Sequence, residues 1–255
     1  MDITQNLKNS KNYRDICQST INKLVESETP KFKKTKDIEQ AVKTKLHTWA
    51  GMFFDDFKKS QKLLENGEKT DRDFYLQVLS RHISTRERFD FLQEFYDDIS
   101  TVCKDCSRFL DIGCGFNPLS FFLFSSLSAE KYVSQDIVGK CIDFLNLCFK
   151  DLKVPAKAEV NDITQNIPTD KFDVVFLLKI LPLLVQQSPK FNEQLLKTLD
   201  TKYFVVTYPT KTLGGKNVGM YNKYQEDIKQ LCEVCNLKTI FEKEYKNEIL
   251  FILEK

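Results

Sequence analysis

The chain has 255 residues, of which 42% are hydrophobic and 29% are charged, and this length can bury the core of one α/β domain with an appendage. Lys and Arg number 38 against 36 Asp and Glu, so the overall charge excludes neither acidic nor basic partners. No segment approaches the ~18 continuous apolar residues that span a bilayer, and the polar N-terminus lacks the apolar core of a signal peptide. We therefore expect a cytoplasmic protein without a membrane partner.

The first 105 residues carry helical patterns and almost no strand patterns. In the clearest of them, residues 84–102, apolar residues recur at steps of three and four and form one stripe. They are Phe89, Leu92, Phe95, Tyr96 and Ile99. Ser84 or Thr85 is the expected N-cap of a capping box closed by Glu87. Further helices are predicted over 12–26, over 36–57 with a break near Gly51, and over 71–79. These patterns predict a helical N-terminal subdomain over residues 1–105.

The N-terminal part is also locally basic. Residues 1–62 contain 13 Lys and Arg against 8 Asp and Glu, an excess of five. Four of the lysines lie close together, at positions 31, 33, 34 and 36. This excess either faces the phosphates of a nucleic acid or belongs to a solvated helical surface, and charge alone leaves both interpretations open.

After Ser107 the pattern changes to alternating strands and helices. Seven strands are predicted, over 108–112, 131–135, 156–160, 172–178, 203–208, 238–243 and 248–253. Helices are predicted between them, over 119–127, 139–152, 188–199 and 220–235. The almost continuous apolar run 172–178 is typical of a strand covered on both faces. This order of elements predicts an α/β fold, a doubly wound and mainly parallel sheet that ends in an antiparallel hairpin.

The strand 108–112 runs straight into the turn Gly113-x-Gly115, and Asp136 follows the next predicted strand. A strand that enters Gly-x-Gly brings the backbone close to a ligand without Cβ obstruction, and such a carboxylate can bind a ribose diol. Dinucleotide-binding folds have a third glycine at the sixth position of the turn, where this chain has Pro118. Because proline has no N–H, a pyrophosphate cradle is disfavoured. The pattern therefore favours S-adenosylmethionine (SAM) as cofactor; the alternative is a glycine turn in an unrelated α/β core.

Two further strand ends carry side chains that suit a nucleoside. In an open α/β sheet, ligands bind beyond the carboxyl ends of the strands. Asp162, with Ile163, is expected to accept a hydrogen bond from the adenine amino group, and Leu178 to form the apolar wall behind the ring. The alternative for Asp162 is an ordinary Asn-Asp turn.

Four motifs and two short N-terminal segments together carry a family resemblance. The motifs are His82-Ile83-Ser84-Thr85-Arg86-Glu87-Arg88, Leu110-Asp111-Ile112-Gly113-Cys114-Gly115-Phe116-Asn117-Pro118-Leu119, Leu177-Leu178-Lys179-Ile180-Leu181-Pro182-Leu183-Leu184, and the run from Tyr208 to Met220. The segments are Ser10-Lys11-Asn12-Tyr13-Arg14 and Lys45-Leu46-His47. In sequence and order they resemble the aminoglycoside-resistance 16S ribosomal RNA (guanine(1405)-N7)-methyltransferases, which modify one decoding-site guanine.

The resemblance implies a seven-stranded, Rossmann-like class I fold for SAM-dependent methyl transfer. It implies an N-terminal subdomain, 1–105, that docks on 16S rRNA of the small (30S) ribosomal subunit, and a SAM-binding domain, 106–255. Arg88 would pair with the methionine carboxylate of SAM, which a planar guanidinium can hold bidentately. The implied cofactor-binding residues are His82, Ile83, Ser84, Thr85, Arg86, Glu87, Arg88, Gly113, Asp136, Asp162, Ile163, Leu178 and Gln187.

Several of these positions also fit simpler roles. His82 fits a packing histidine, Arg88 a surface charge, and Gln187 a solvated loop residue. Gly113 stands where many family members carry alanine, and Tyr208 where many carry phenylalanine. Neither difference removes a needed polar group.

The implied reaction does not require removal of a proton. Guanine N7 has a lone pair and no hydrogen, so methyl transfer needs alignment instead of a general base, and we expect no catalytic side chain. Lys179 and Lys216, near the expected mouth of the pocket, either meet RNA phosphates or are solvated.

Two alternatives to this function stay open: a SAM-dependent methyltransferase for a small molecule or another RNA, and a module that occupies the ribosome without methylating it.

Eight cysteines include two Cys-x-x-Cys pairs, Cys103/Cys106 and Cys232/Cys235. The pairs lie far apart in the chain and no histidine is near either, which disfavours a shared zinc site. We expect scattered reduced thiols, no metal and a monomeric protein.

Overall fold

A computed structural model describes residues 3–51, 59–60, 62–63, 71–210 and 220–255, with a seven-stranded sheet at the centre. The strands are β1 Arg108–Ile112, β2 Lys131–Asp136, β3 Ala156–Val160, β4 Phe172–Leu178, β5 Thr201–Pro209, β6 Lys238–Glu244 and β7 Glu248–Glu254. They lie in the order β3-β2-β1-β4-β5-β7-β6. The first five are parallel, and β7 is antiparallel to β5 and β6. All seven predicted strands and the closing hairpin are confirmed.

Helices cover both faces of this sheet. Those before the sheet are α1 Ile3–Asn9, α2 Gln18–Glu28, α3 Thr35–Trp49, α4 Arg72–Arg81, α5 Ile83–Arg88 and α6 Leu92–Val102. Those within the alternating part are α7 Asn117–Phe124, α8 Gly139–Leu152, α9 Leu181–Gln187, α10 Phe191–Thr198 and α11 Met220–Cys235. None of the helices in the described part of the chain combines the length and apolar character needed to cross a membrane.

The two faces of the sheet contribute to two separate cores, because successive residues of a strand point to opposite sides. Phe109, Phe176 and Val205 pack with the helices that precede the sheet. Leu110 and Phe204, each one position away along the same strands, pack with the helices that follow β4 and β5. The apolar run of β4 is therefore buried on both sides, as its composition indicates.

The predicted helix over 84–102 is divided into two, and its expected capping box is wrong. A 3₁₀ turn at Phe89–Phe91 separates α5 from α6, and α5 begins at Ile83 with His82 as N-cap. Thr85 is buried, and its hydroxyl donates to the carbonyl oxygens of Leu79, at 2.6 Å, and His82, at 3.2 Å. Thr85 therefore ties α5 back to α4 and does not cap a helix.

Two helices of the described part of the chain were not predicted. They are α1, at residues 3–9, and α9, whose Leu-Pro-Leu-Leu sequence has its proline in the first turn. Proline is tolerated there because the first N–H groups of a helix have no internal partner. The helix predicted over 12–26 begins only at Gln18, since residues 11–15 form turns. Residues 52–57 of the helix predicted over 36–57, and Lys216, lie outside the described residues.

Candidate active site

A cavity of about 840 Å³ opens at the carboxyl ends of β1, β2 and β4. The strand order places β1 between β2 and β4, so the chain leaves β1 and β4 toward opposite faces of the sheet, and the crevice between them is where open α/β folds bind ligands. Twelve of the thirteen predicted cofactor-binding residues line the cavity, and Arg86 is not among the lining residues. The structure therefore brings together residues that the sequence spreads over more than 100 positions.

The glycine turn after β1 forms the floor of this cavity. Gly113 and Gly115 have φ of +64° and +48°, in the left-handed region that favours glycine. A Cβ at Gly113 would lie 2.3 Å from Cδ1 of Ile180, and one at Gly115 would lie 3.0 Å from Cε1 of His82. The N–H groups of Gly113 and Cys114 donate to the carbonyl oxygen of Gln135, at 2.8 and 3.0 Å, which fixes the turn against β2.

Asp136, at the end of β2, holds the same turn through its carboxylate. Its Oδ2 accepts from the Gly115 N–H at 3.2 Å and its Oδ1 from the Val138 N–H at 3.0 Å. Burial raises the pKa of this carboxyl, while these backbone donors oppose the increase. The side chain lines the cavity and is only partly buried, so it is placed to hydrogen-bond a ligand hydroxyl.

Asp162 lies in the loop after β3 and is 5% exposed. Its Oδ1 accepts from the backbone N–H of Thr164 at 3.0 Å and from the Thr164 hydroxyl at 2.6 Å. Its Oδ2 accepts from the hydroxyl of Thr20, on α2, at 2.8 Å. Asp162 therefore forms the turn that the simpler interpretation expects, and it lines the cavity together with Ile163 and Leu178.

Arg88 is buried in an ion pair with Glu248, at the start of β7. Its Nε donates to Oε2 at 3.0 Å and its second terminal nitrogen to Oε1 at 2.5 Å. Burial disfavours the charged guanidinium, but the Glu248 carboxylate outweighs this and raises the pKa of Arg88. The interpretation of Arg88 as a surface charge is wrong, since its side chain is 1% exposed. Sequence reasoning missed Glu248, because a single acidic residue beside an apolar strand gives no sign of a partner 160 positions earlier.

A buried network of polar side chains extends from Arg88 behind the glycine turn. Oδ1 of Asn117 accepts from Arg88 at 3.3 Å and from the Tyr96 hydroxyl at 2.8 Å, and its Nδ2 donates to Oδ2 of Asp111 at 2.8 Å. The Tyr132 hydroxyl donates to the same oxygen at 2.9 Å. Burial raises the pKa of Asp111 to about 7, although both hydrogen bonds lower it. This network links α6, α7 and two strands behind the site.

His82 and Lys179 are both largely buried at the cavity. The His82 ring lies 4.8 Å from the ring of Phe116, and burial lowers its pKa to about 3, so the ring is neutral near pH 7. Nζ of Lys179 lies 2.9 Å from a carboxylate oxygen of Glu87 and 3.3 Å from one of Glu248. The alternative that Lys179 is a solvated lysine is therefore wrong.

The remaining predicted residues differ in how close they come to the cavity. Gln187, at the end of α9, lines it and accepts from Nζ of Lys23 at 3.4 Å. Ile83 and Ser84 line it from the first turn of α5.

Among the described residues, neither Cys-x-x-Cys pair belongs to a group of three potential metal ligands.

The strand order, the glycine turn after β1 and the carboxylates that follow β2 and β3 define a class I SAM-dependent methyltransferase fold. Comparison with known proteins identifies the particular family. A model of the family described as Ribosomal RNA methyltransferase (FmrO) matches residues 9–239, and the chain belongs to this family.

Individual relatives match most or all of the chain. A 16S rRNA (guanine(1405)-N(7))-methyltransferase of Micromonospora echinospora is 26% identical, over 99% of this chain and 96% of its own length. One of Serratia marcescens is 28% identical, over 84% and 82%. The crystal structure of the 16S rRNA methyltransferase RmtF in complex with S-adenosyl-L-homocysteine has a TM-score of 0.90 and 29% identity, over 100% of this chain and 99% of that one.

Proposed function

We propose that the protein transfers the methyl group of SAM to N7 of guanine 1405 in 16S rRNA of the 30S subunit, and thereby confers aminoglycoside resistance. The observation that carries this proposal is the cavity at the carboxyl ends of the strands, which is lined by twelve of the thirteen cofactor-binding residues implied by the family resemblance. Its floor is the glycine turn, and it holds one carboxylate after β2 and one after β3.

The residues present fit SAM. The two glycines allow the left-handed turn that forms the floor of the cavity, Asp136 would hold the ribose diol, and Asp162 would accept from the adenine amino group. Ile163 and Leu178 would flank the ring, and Arg88 would face the methionine carboxylate. When bound, the cofactor supplies an electrophilic methyl group on a sulfonium.

The protein's own contribution to the reaction is alignment and exclusion of water. Guanine N7 presents a lone pair and loses no proton on methylation, so no side chain has to act as a base. His82 is neutral and buried beneath Gly115, which suits a packing role at the floor of the cavity. Methylation places a fixed positive charge on the guanine and removes an acceptor, so a cationic drug docked at that base edge loses a hydrogen bond and meets like charge.

Residues 1–105 would supply the docking surface for RNA, and residues 106–255 most of the cofactor site. Lys33, Lys34 and Lys36 are exposed just before and at the start of α3, where they can meet phosphates. Lys179, which lines the cavity, would contact RNA there and exchange its carboxylate partners for a phosphate; Lys216, outside the described residues, remains the second RNA-contacting lysine that we propose. The protein would act as a cytoplasmic monomer without a metal.

The test is incubation of the purified protein with labelled SAM and 30S subunits, followed by mapping of N7-methylguanine through chemically induced strand scission. We expect label at position 1405, and expression of the protein in a susceptible bacterium to confer resistance to 4,6-disubstituted deoxystreptamine drugs. Asp136→Ala is the control: loss of two charge-assisted hydrogen bonds, about 1.5 to 3 kcal/mol each, should strongly weaken SAM binding. Resistance without methylated rRNA, or methylation of a small molecule alone, would contradict the proposal.

A further inference from the structure

We propose that helix α2 belongs to the cofactor site, that Thr20 and Lys23 position its adenine end, and that α2 thereby couples cofactor binding to docking of the N-terminal helices on the ribosome. The part that concerns the ribosome rests on the proposed function. The part that concerns Thr20 and Lys23 rests only on contacts within this chain.

The start of α2 is anchored to the loop that follows β2. Ile16 forms an antiparallel bridge with Val138, and the Cys17 N–H donates to the carbonyl oxygen of Ile137 at 2.8 Å. The Gly139 N–H donates to the carbonyl oxygen of Asp15 at 2.6 Å. The chain therefore enters α2 while hydrogen-bonded to the residues that directly follow Asp136.

Thr20, in the first turn of α2, supplies a hydrogen-bond donor to Asp162. Its side chain is buried, lines the cavity and donates to Oδ2 at 2.8 Å, while the other carboxylate oxygen accepts from Thr164. A buried carboxylate oxygen that loses its donor is left without a hydrogen bond unless the side chain turns toward another donor. Such a turn would alter the group that faces the adenine ring, so Thr20 acts through Asp162 as a positioning residue.

Lys23 lies one helical turn after Thr20, on the same face of α2. Its Nζ donates to the Thr164 hydroxyl at 2.6 Å and to Oε1 of Gln187 at 3.4 Å. Burial lowers the pKa of Lys23, and the nearby Asp162 carboxylate opposes this. Lys23 therefore joins the loop after β3 to the end of α9, two segments that line the cavity.

The opposite end of α2 is tied to the basic part of the N-terminal region. Glu28, in the last turn, accepts from Nζ of Lys31 at 2.7 Å and from Nζ of Lys45, on α3, at 2.6 Å. An 11-residue helix spans about 16 Å, so α2 connects the adenine end of the cavity to the segment that carries the exposed lysines. If cofactor binding moves α2 and thereby changes the affinity for rRNA by some factor, rRNA binding must change the affinity for the cofactor by the same factor.

The experiment compares Thr20→Val, which removes the hydroxyl, with Thr20→Ser, which keeps it. Thr29→Val is the matched control, because Thr29 is exposed at the C-cap of the same helix and its hydroxyl donates to the Val25 carbonyl oxygen, at 2.7 Å. We expect Thr20→Val to weaken S-adenosylhomocysteine binding at least about fivefold by calorimetry, with Thr20→Ser and the control within about twofold of the natural chain. The KM for SAM should rise by a similar factor while kcat at saturating SAM stays within about twofold.

If Thr20→Val does not fold, as judged by circular dichroism, Lys23→Met is the second test variant. It should also weaken S-adenosylhomocysteine binding. Unchanged S-adenosylhomocysteine affinity in a folded Thr20→Val or Lys23→Met protein would overturn the positioning role. This result involves no RNA, so it is distinct from a failure of the proposed function, which would show as absence of 30S methylation by the natural chain.

Coupling is tested by 30S affinity with and without S-adenosylhomocysteine. We expect the cofactor product to strengthen 30S binding at least about fivefold for the natural chain and for Thr29→Val, and by less for Thr20→Val. Equal 30S affinity in the two conditions, or no 30S binding at all, would overturn the coupling.

Discussion

The two sides of the cofactor cavity are built in different ways. On the sheet side, the glycine turn and Asp136 are held by hydrogen bonds to backbone groups of their own and neighbouring strand ends. On the helical side, the structure depends on side chains that meet partners far away in the chain, such as Thr20 with Asp162 and Arg88 with Glu248. The comparison teaches that the helical region completes the cofactor site instead of being attached to a finished one.

Removal of residues 1–62 should have the largest effect on the cofactor site. If the helical region were a separate docking platform, cofactor binding would survive the truncation, as the sequence pattern alone suggests. The contacts predict the opposite, because Thr20, Thr48 and Trp49 line the cavity and Ile16 pairs with Val138. We expect S-adenosylhomocysteine binding to become undetectable by calorimetry. Binding of normal strength in the truncated protein would show instead that the helical region is a separate docking platform.

The next largest effect is expected for Arg88→Ala. Without Arg88, the buried Glu248 carboxylate keeps only Lys179, at 3.3 Å, as a cationic partner among the described residues, so we expect a loss near the lower end of the about 3 to 5 kcal/mol of unfolding free energy that breaking a buried ion pair costs. Chemical denaturation measures this loss, and methylation should vanish with it.

Replacing both partners, as in Arg88→Met with Glu248→Leu, separates stability from cofactor binding. This double variant should recover most of the stability, because no lone buried charge remains, but should not recover the affinity for SAM. Recovery of both properties would show that Arg88 has only a structural role.

A pH-dependent effect is expected for Asp111→Asn. Burial raises the pKa of the Asp111 carboxyl to about 7 in the folded protein, against about 3.9 in an unfolded chain. The folded state therefore binds a proton more tightly, and the natural protein loses stability relative to Asp111→Asn as the pH rises from about 4 to about 7, with no further change above. Denaturation at several pH values measures the difference in free energy of unfolding; a difference independent of pH would contradict the raised pKa.

The sequence predicts the sheet well because each strand has its own local pattern. Apolar runs between turns predict all seven strands, and the glycine turn with Asp136 predicts the cofactor edge. The misses have physical causes. Pro182, in the first turn of α9, conceals the start of that helix. Thr85 is of a residue type that often caps helices, but its hydroxyl donates back to the Leu79 carbonyl oxygen.

The polar partners on the helical side could not have been predicted in this way. Thr20 and Asp162 are 142 positions apart, and Arg88 and Glu248 are 160 positions apart. A hydrogen bond between such residues depends on the completed packing of helices on the sheet, so it produces no periodicity or spacing in the chain. A lone polar residue beside an apolar segment, such as Glu248, does not identify its partner.

The closeness of Ile180 to Gly113 also bears on the alanine that the family resemblance leads us to expect at this position. Here Cδ1 of Ile180 occupies the space in which the alanine methyl group would lie, and the backbone of Gly113 is left-handed. Alanine at position 113 of this chain would therefore require the Ile180 side chain to turn away and would strain the turn, so Gly113→Ala should be poorly tolerated unless position 180 changes with it.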